Sequence, residues 1–336
     1  MLRLPDFEFI EPATVDEAVD AWRNAGGDVE YVSGGTDLYP NMKRRQQEPK
    51  TVISLMGVEG IDGIVSRTAG QPDGLTIGAG TTLTEIAGHE QIRDAYPAVA
   101  RAASLISTPQ LRNMGTIGGN LCLDTRCNYY DQTYEWRCSV DFCMKKDGEI
   151  CWVAPSSPRC WAVNSSDLAP VMVAIGAEFV LVGPEGARTL PAAGFYVDDG
   201  IDYLTQKPGE ILTEIRLPAT GNWDATYHKL RRRGSFDFPV LGVAAWIAWD
   251  GNTVSDARIV LGAVASYPQE IPEAAAAIRG SALDDPAVAA AAQAAFKSSK
   301  PMDNTDYGLA WRKQMTRVYV TRALEELRER RESISR

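Results

Sequence analysis

The sequence predicts an α+β fold of about two domains, and three observations carry that prediction. Its 336 residues exceed one typical domain. Its composition, 45% hydrophobic and 23% charged, is that of a globular chain able to bury a sizeable core. Short strands and capped helices are interspersed up to about residue 217, whereas the last third opens as an antiparallel meander and closes in helices.

Residues 12–24 predict a helix: Thr14 is the N-cap, Glu17 completes a capping box, Ala18, Val19 and Trp22 form the apolar stripe, and Gly26-Gly27 stops it. Val29–Ser33 and Thr51–Leu55 read as strands. Gly74–Ile77 leads into Gly78-Ala79-Gly80-Thr81-Thr82, a helix at Leu83–Gly88 and another at Pro97–Leu105. After the glycine-rich run Gly115–Asn120 comes a segment holding all six cysteines. Leu168–Ile175 reads as a helix, Glu178–Val182 and Ala187–Leu190 as a hairpin about Pro184-Glu185-Gly186, and Glu210–Leu217 as a strand. A domain boundary is expected near Ala219–Trp223. Beyond it lie strands at Ala225–Arg231, Pro239–Trp249 and Thr253–Ala263, the last two joined by an Asp250-Gly251-Asn252 turn, then helices at Ala287–Phe296 and Ala310–Arg330. The charged face of the last helix, with Glu325, Glu326, Arg328, Glu329, Arg330 and Arg331, reads as solvated.

The net charge of -10 argues against nucleic acid or an anionic membrane as the main partner. No apolar run approaches the ~20 residues that span a bilayer. The first residues lack the pattern of a signal peptide, so the expected compartment is the cytoplasm. All six cysteines fall between Cys122 and Cys160, which points to metal or redox chemistry rather than a disulfide framework, with incidental thiols as the alternative.

Two glycine loops stand out. The first is Tyr31-Val32-Ser33-Gly34-Gly35-Thr36-Asp37-Leu38; the second runs from Thr108 to Asn120 and ends Thr116-Ile117-Gly118-Gly119-Asn120. Glycines let backbone N–H groups approach an anion closely. Neither loop fits the dinucleotide fingerprint or the P-loop consensus, and each alone reads equally as a plain turn.

Taken in order, Val32–Asp37, Gly78–Thr82, Gln110–Asn120, Ser166-Asp167-Leu168-Ala169-Pro170 and Tyr227-His228-Lys229-Leu230-Arg231 closely resemble the FAD-binding medium subunits of the molybdenum hydroxylases, the xanthine dehydrogenase and carbon monoxide dehydrogenase family. The resemblance spans nearly the whole chain. It implies a p-cresol-methylhydroxylase-type FAD-binding fold in two subdomains, residues 1–57 and 58–220, with an insertion at 121–165, and a C-terminal domain of antiparallel sheet plus helices at 221–336. It implies FAD contacts at Tyr31, Val32, Ser33, Gly34, Gly35, Thr36, Asp37, Leu38, Ile106, Thr116, Ile117, Gly118, Gly119, Asn120, Asp167, Leu212 and Lys229. Read from the residues alone, Asp167 serves equally as a helix N-cap and Lys229 as a strand residue facing solvent.

The inserted segment resembles the loop that binds a [4Fe–4S] cluster in the β subunit of 4-hydroxybenzoyl-CoA reductase. A cluster takes four thiolates. The resemblance selects Cys127, Cys143, Cys151 and Cys160, separated by fifteen, seven and eight residues. Cys122 is expected beside the flavin, and Cys138 is an alternative ligand. Trp136, Phe142 and Trp152 are placed to exclude water. A structural zinc site is the competing reading, although zinc ligands usually lie two to four residues apart.

What the resemblance implies is an electron-transfer subunit with FAD and a [4Fe–4S] cluster. Its partners are a large molybdenum-cofactor subunit and a small subunit with two [2Fe–2S] centres, in an (αβγ)2 complex served by a ferredoxin-type donor. The implied reaction is reductive dehydroxylation of 4-hydroxybenzoyl-CoA. Oxidation of another aromatic or heteroaromatic substrate by a molybdenum hydroxylase is the alternative, and a zinc-binding structural module the third. Arg112, Lys145, Lys146 and Arg159 are candidates for a basic patch receiving the donor.

Overall fold

The computed structural model describes residues 3–67 and 74–334, so both extreme ends of the expected domain ranges lie outside the described residues. In chain order the elements are β1 (Glu8–Ile10), α1 (Val15–Asn24), β2 (Val29–Val32), α2 (Leu38–Lys43) and β3 (Thr51–Ser54). Then come β4 (Ile64–Ser66), β5 (Leu75–Gly78), α3 (Leu83–Gly88), α4 (Glu90–Ala95), α5 (Pro97–Leu105), α6 (Pro109–Arg112), α7 (Ile117–Leu121), α8 (Tyr134–Ser139) and α9 (Leu168–Ile175). The rest are β6 (Glu178–Gly183), β7 (Gly186–Pro191), β8 (Ile211–Arg216), β9 (Trp223–Leu230), β10 (Leu241–Asp250), β11 (Thr253–Gly262), β12 (Gln269–Glu270), α10 (Pro272–Ile278), α11 (Asp285–Ser298) and α12 (Leu309–Ile334).

Three sheets organise these elements. β1, β3 and β2 form a parallel sheet in that order, with α1 as the crossover helix. Thr14 accepts from the Glu17 N–H at 3.2 Å, as the capping pattern predicts, but the Glu17 carboxylate returns to the Ala13 N–H rather than to Thr14. The second sheet runs β4-β5-β8-β6-β7 and is antiparallel throughout. The third, β12-β11-β10-β9, is the predicted meander. The fold is thus α+β, with an antiparallel sheet and helices in its C-terminal part.

Sequence reasoning missed the shortest elements: β1, β4, β12, α2, α4, α6, α8 and α10. Helices of one or two turns and strands of two or three residues carry too little periodicity to read. It also took the run containing α7 for a loop, because Gly118 and Gly119 are poor helix formers. Tertiary bonds from the Ile117 and Gly118 N–H groups to Thr81 O and Ala79 O override that preference.

Helix α9 is buried on every side, so its apolar sequence has no polar face. It lies against β10, β11 and α5, joining the core of the second sheet to the third. Strand β9 completes the joint through its period of two, which sends alternate side chains to opposite faces. Tyr227 and Lys229 both reach Asp167, at the head of α9, at 2.8 Å. Thr226 and His228 reach Glu326 of α12 at 2.9 and 2.7 Å.

Glu326 therefore departs from the expected solvated face. Arg101 of α5 donates to both its carboxylate oxygens, at 2.9 and 2.8 Å, and Arg330 also contacts it. Burial alone would raise its pKa, but hydrogen bonds from His228 and Arg101 and the charges of Arg101 and Arg330 hold it well below its ordinary 4.5.

A carboxyl depressed in the folded state contributes stability that is complete above its ordinary pKa and lost as the pH falls toward the folded value. Glu326→Gln should lower the melting temperature at neutral pH, by roughly 2–4 °C for each kcal/mol lost. The gap to the parent protein should close as melts are repeated at falling pH below 4.5. A gap of constant size across that range would rule out the ionic role of Glu326.

Candidate functional site

The first glycine loop leaves the end of β2, where pairing with β3 in parallel register aims it across the molecule. The second is laced to the Gly78–Thr82 stretch. The Leu83 N–H donates to Gly115 O at 2.9 Å, Ile117 N–H to Thr81 O at 3.0 Å and Gly118 N–H to Ala79 O at 2.8 Å. Gly78–Thr82 is therefore largely the scaffold of the second loop, although Ala79 and Gly80 also reach a cleft wall.

The two loops meet. The Thr116 hydroxyl accepts from Gly119 N–H at 3.2 Å and donates to Ser33 Oγ at 3.0 Å. Gly34 packs so tightly that a Cβ there would fall 1.8 Å from the carbonyl oxygen of Met114. No side chain fits that approach, which accounts for this glycine.

Two clefts open on either side of the contact. The first has a volume of about 230 Å³. It is lined by Tyr31, Val32, Ser33, Gly34, Gly35, Thr36, Asp37 and Leu38 from the first loop, and by Ile106, Thr116, Gly119 and Asn120. The second, of about 210 Å³, takes Tyr31, Ser33, Thr116, Gly118, Gly119 and Leu212. Cys122 and Tyr203 line both.

Three expected contacts stand elsewhere. Ile117 is fully buried in the core behind the loop. Asp167 and Lys229 line neither cleft; they form a buried ion pair of 2.8 Å behind the wall. Lys229 does not face solvent, and its Nζ also donates to Leu105 O at 3.0 Å, next to Ile106 of the first cleft. Asp167 occupies the N-cap position of α9 without making a side-chain cap. Burial pushes Asp167 up and Lys229 down; their mutual charge opposes both shifts, and a hydrogen bond from Tyr227 further opposes that of Asp167. Sequence reasoning missed Tyr203 and Phe238 on the cleft walls, because neither belongs to a motif and both arrive from distant loops.

The cysteine segment is pinned at its base by reciprocal backbone bonds between Arg126 and Val163, at 2.9 and 2.8 Å. It is tied to the first glycine loop by Arg126, whose Nη1 lies 2.9 Å from Asp37 Oδ1. Cys127, Cys143, Cys151 and Cys160 are all buried and all line one cavity of about 10 Å³, with Tyr130, Lys145 and Trp152. Interaction between the Cys151 and Cys160 thiols lowers the Cys151 pKa and raises that of Cys160; burial raises Cys127 to about 12. Among the described residues, no three His, Cys, Asp or Glu side chains are arranged to hold a single metal ion. Cys138 is exposed and Cys122 stands on the clefts, so neither lines this cavity.

The expected basic patch does not form. The Lys145 side chain is only 6% exposed, and its Nζ contacts Asp124 Oδ1 at 2.8 Å. Arg159 pairs with Asp198 and stacks on Trp161. Arg112 donates to Ile106 O at 2.8 Å, and Lys146 lies 3.6 Å from Asp147. Trp152 does line the cysteine cavity, whereas Trp136 is 37% exposed. Among the described residues no helix is long and apolar enough to cross a membrane.

Residues 5–220 match the family described as the FAD binding domain in molybdopterin dehydrogenase. Residues 225–327 match the CO dehydrogenase flavoprotein C-terminal domain. The chain is 30% identical to the carbon monoxide dehydrogenase medium chain of Hydrogenophaga pseudoflava over 321 residues, covering 95% of this chain and 96% of that one. It is 33% identical over 268 residues to the aldehyde oxidoreductase FAD-binding subunit PaoB of Escherichia coli, covering 77% and 81%. The solved structure of carbon monoxide dehydrogenase from Hydrogenophaga pseudoflava superposes with a TM-score of 0.79 at 29% identity, covering 96% of this chain and 97% of that one. The FAD-binding match, residues 5–220, runs through the cysteine segment. With both halves matched in order, and the two glycine loops meeting inside the first, the chain belongs to the FAD-binding subunits of the molybdenum hydroxylases.

Proposed function

We propose that this chain is the FAD-binding electron-transfer subunit of a molybdenum hydroxylase that oxidises an aromatic or heteroaromatic substrate on a large molybdenum-cofactor partner, with a small iron–sulfur partner between them. The observation that carries the reading is the meeting of the two glycine loops. The Ser33 hydroxyl and the Gly34–Gly35 backbone of the first loop offer donors suited to a pyrophosphate, beside the contact that Thr116 holds and at a place where no Cβ fits. FAD, when bound, exchanges electrons singly or in pairs. The protein's own part is positional. The loops hold the anionic end, and Ile106 and Leu212 supply apolar walls to the two clefts. Lys229 steadies the backbone of Leu105, beside Ile106.

The convergence of Cys127, Cys143, Cys151 and Cys160 on one cavity favours a second, more specific reading: a subunit of the 4-hydroxybenzoyl-CoA reductase type, with a [4Fe–4S] cluster in the inserted loop and a ferredoxin-type donor. Four buried thiols are the donor set such a cluster requires. They must spread to admit it, because the cavity they line is only about 10 Å³. Lys145, Tyr130 and Trp152 then form the surrounding wall. The names of the relatives reported above support the oxidising reading of the complex, and the cysteine cavity supports the cluster.

Gly34→Ala should retain the fold and lose most of the flavin, read by absorbance of the purified complex; full flavin occupancy would remove the loop junction as the cofactor site. Lys229→Ala should also lower flavin content, through the wall at Ile106. Iron and acid-labile sulfide, measured in single variants, test the ligand set. Cys151→Ser should lose the cluster while Cys138→Ser keeps it, and zinc without iron in the parent protein would reject the cluster altogether.

A further inference from the structure

Buried beside the cysteine cavity is a cation with no anion. Arg137, on α8, is 0% exposed. Its Nη2 donates to Arg44 O at 3.0 Å and Arg45 O at 2.8 Å. Its Nε and Nη1 are buried without a hydrogen-bond partner. Among the described residues no carboxylate lies within ion-pair distance of it. The guanidinium carbon instead stands 5.9 and 5.8 Å from the ring centroids of Tyr134 and Phe142.

Two other buried cations show how unusual this is. Lys145, on the cavity wall, is neutralised by Asp124. Arg312 is also 0% exposed, but its Nε, Nη1 and Nη2 all donate to carbonyls, and Asp303 and Asp306 act on it electrostatically. A buried charge that is neither paired nor fully hydrogen-bonded costs folding free energy.

The cysteine cavity supplies a place for such an anion on the far side of Phe142 in the chain. Phe142 N–H donates to Arg137 O at 2.8 Å, and Phe142 immediately precedes Cys143. Trp152 of the cavity wall hydrogen-bonds to Phe142 O. A [4Fe–4S] core held by four thiolates carries net negative charge, which grows by one unit when the core takes up an electron, with no bond made or broken.

Resting on the cluster reading above, we propose that Arg137 is the counter-cation of the iron–sulfur site and sets its reduction potential. A fixed positive charge stabilises the more negative reduced state, so Arg137 raises the potential. It acts through space and through Phe142, and is a positioning residue rather than a ligand.

The test is a redox titration of the intact complex, followed by electron paramagnetic resonance. At the potential where half of the parent clusters are reduced, Arg137→Gln should lower the reduced-to-oxidised ratio about tenfold, which for a one-electron couple is a shift of about 59 mV. Arg137→Lys, which keeps the charge, should stay close to the parent. A purely structural role, holding the Arg44–Arg45 backbone, predicts loss of thermal stability with an unchanged potential, and that result overturns the proposal. If Arg137→Gln cannot be loaded with iron, Arg137→Lys decides: loading at the parent potential upholds the charge, and failure to load overturns it. Absence of a cluster in the parent would instead remove the reading on which the proposal rests.

Discussion

The FAD-binding half of the chain depends on how closely two backbones approach, at Gly34 against the carbonyl of Met114. Each loop is aimed by a different sheet. The first is the continuation of β2 in the parallel sheet, whereas the second is laced to residues that follow β5 in the antiparallel one. Their apolar cores are distinct, one around Ile53 and Ile61 and the other around α9 and β8. The clefts therefore lie where two separately packed units meet, a common place for a cofactor site. A side chain at Gly34 would disturb the relation between the units before it disturbed either core.

Strand β9 performs the corresponding task for the C-terminal part. Its alternation commits Tyr227 and Lys229 to Asp167 and commits Thr226 and His228 to Glu326. One strand thus fastens the last sheet to the head of α9 on one face and to the terminal helix on the other. Both carboxylates are desolvated, and each is met by at least two donors, which is the condition under which a buried charge stabilises a junction. Lys229 and Asp167 are chemically the residues expected from the sequence, but their first task is to join two layers behind the cleft wall.

Much of this was legible because the informative signals are local. Helices such as Pro97–Leu105 and Leu168–Ile175, the turn at Asp250-Gly251-Asn252 and the glycine loops declare themselves in adjacent residues. What sequence reasoning could not supply is where distant segments meet. Tyr203 and Phe238 reach the clefts from loops without a motif. Lys145 looks like a surface cation until Asp124 and the carbonyl of Gly200 are found around it. Glu326 sits in a charged run whose pattern suggests solvent, yet three other elements or side chains claim it. Partners of buried polar groups are set by tertiary geometry, and a single sequence carries no record of that geometry.

The position of the cysteine segment follows from the same geometry. Asn120 closes the second glycine loop, and its Oδ1 accepts from Ser166 Oγ at 2.8 Å and from the Leu168 N–H at 3.3 Å. The two ends of the inserted stretch are thus clamped together by the fold that surrounds them. Loop closure costs grow only slowly with length when the ends are already held, so this is a place where a long insertion is tolerated. It is also a place with a consequence. Counting from Asn120, Cys122 and Asp124 still line the clefts, and Cys127 is already on the cysteine cavity. Lys145 lines that cavity and bonds to Asp124, so one buried ion pair separates the two spaces.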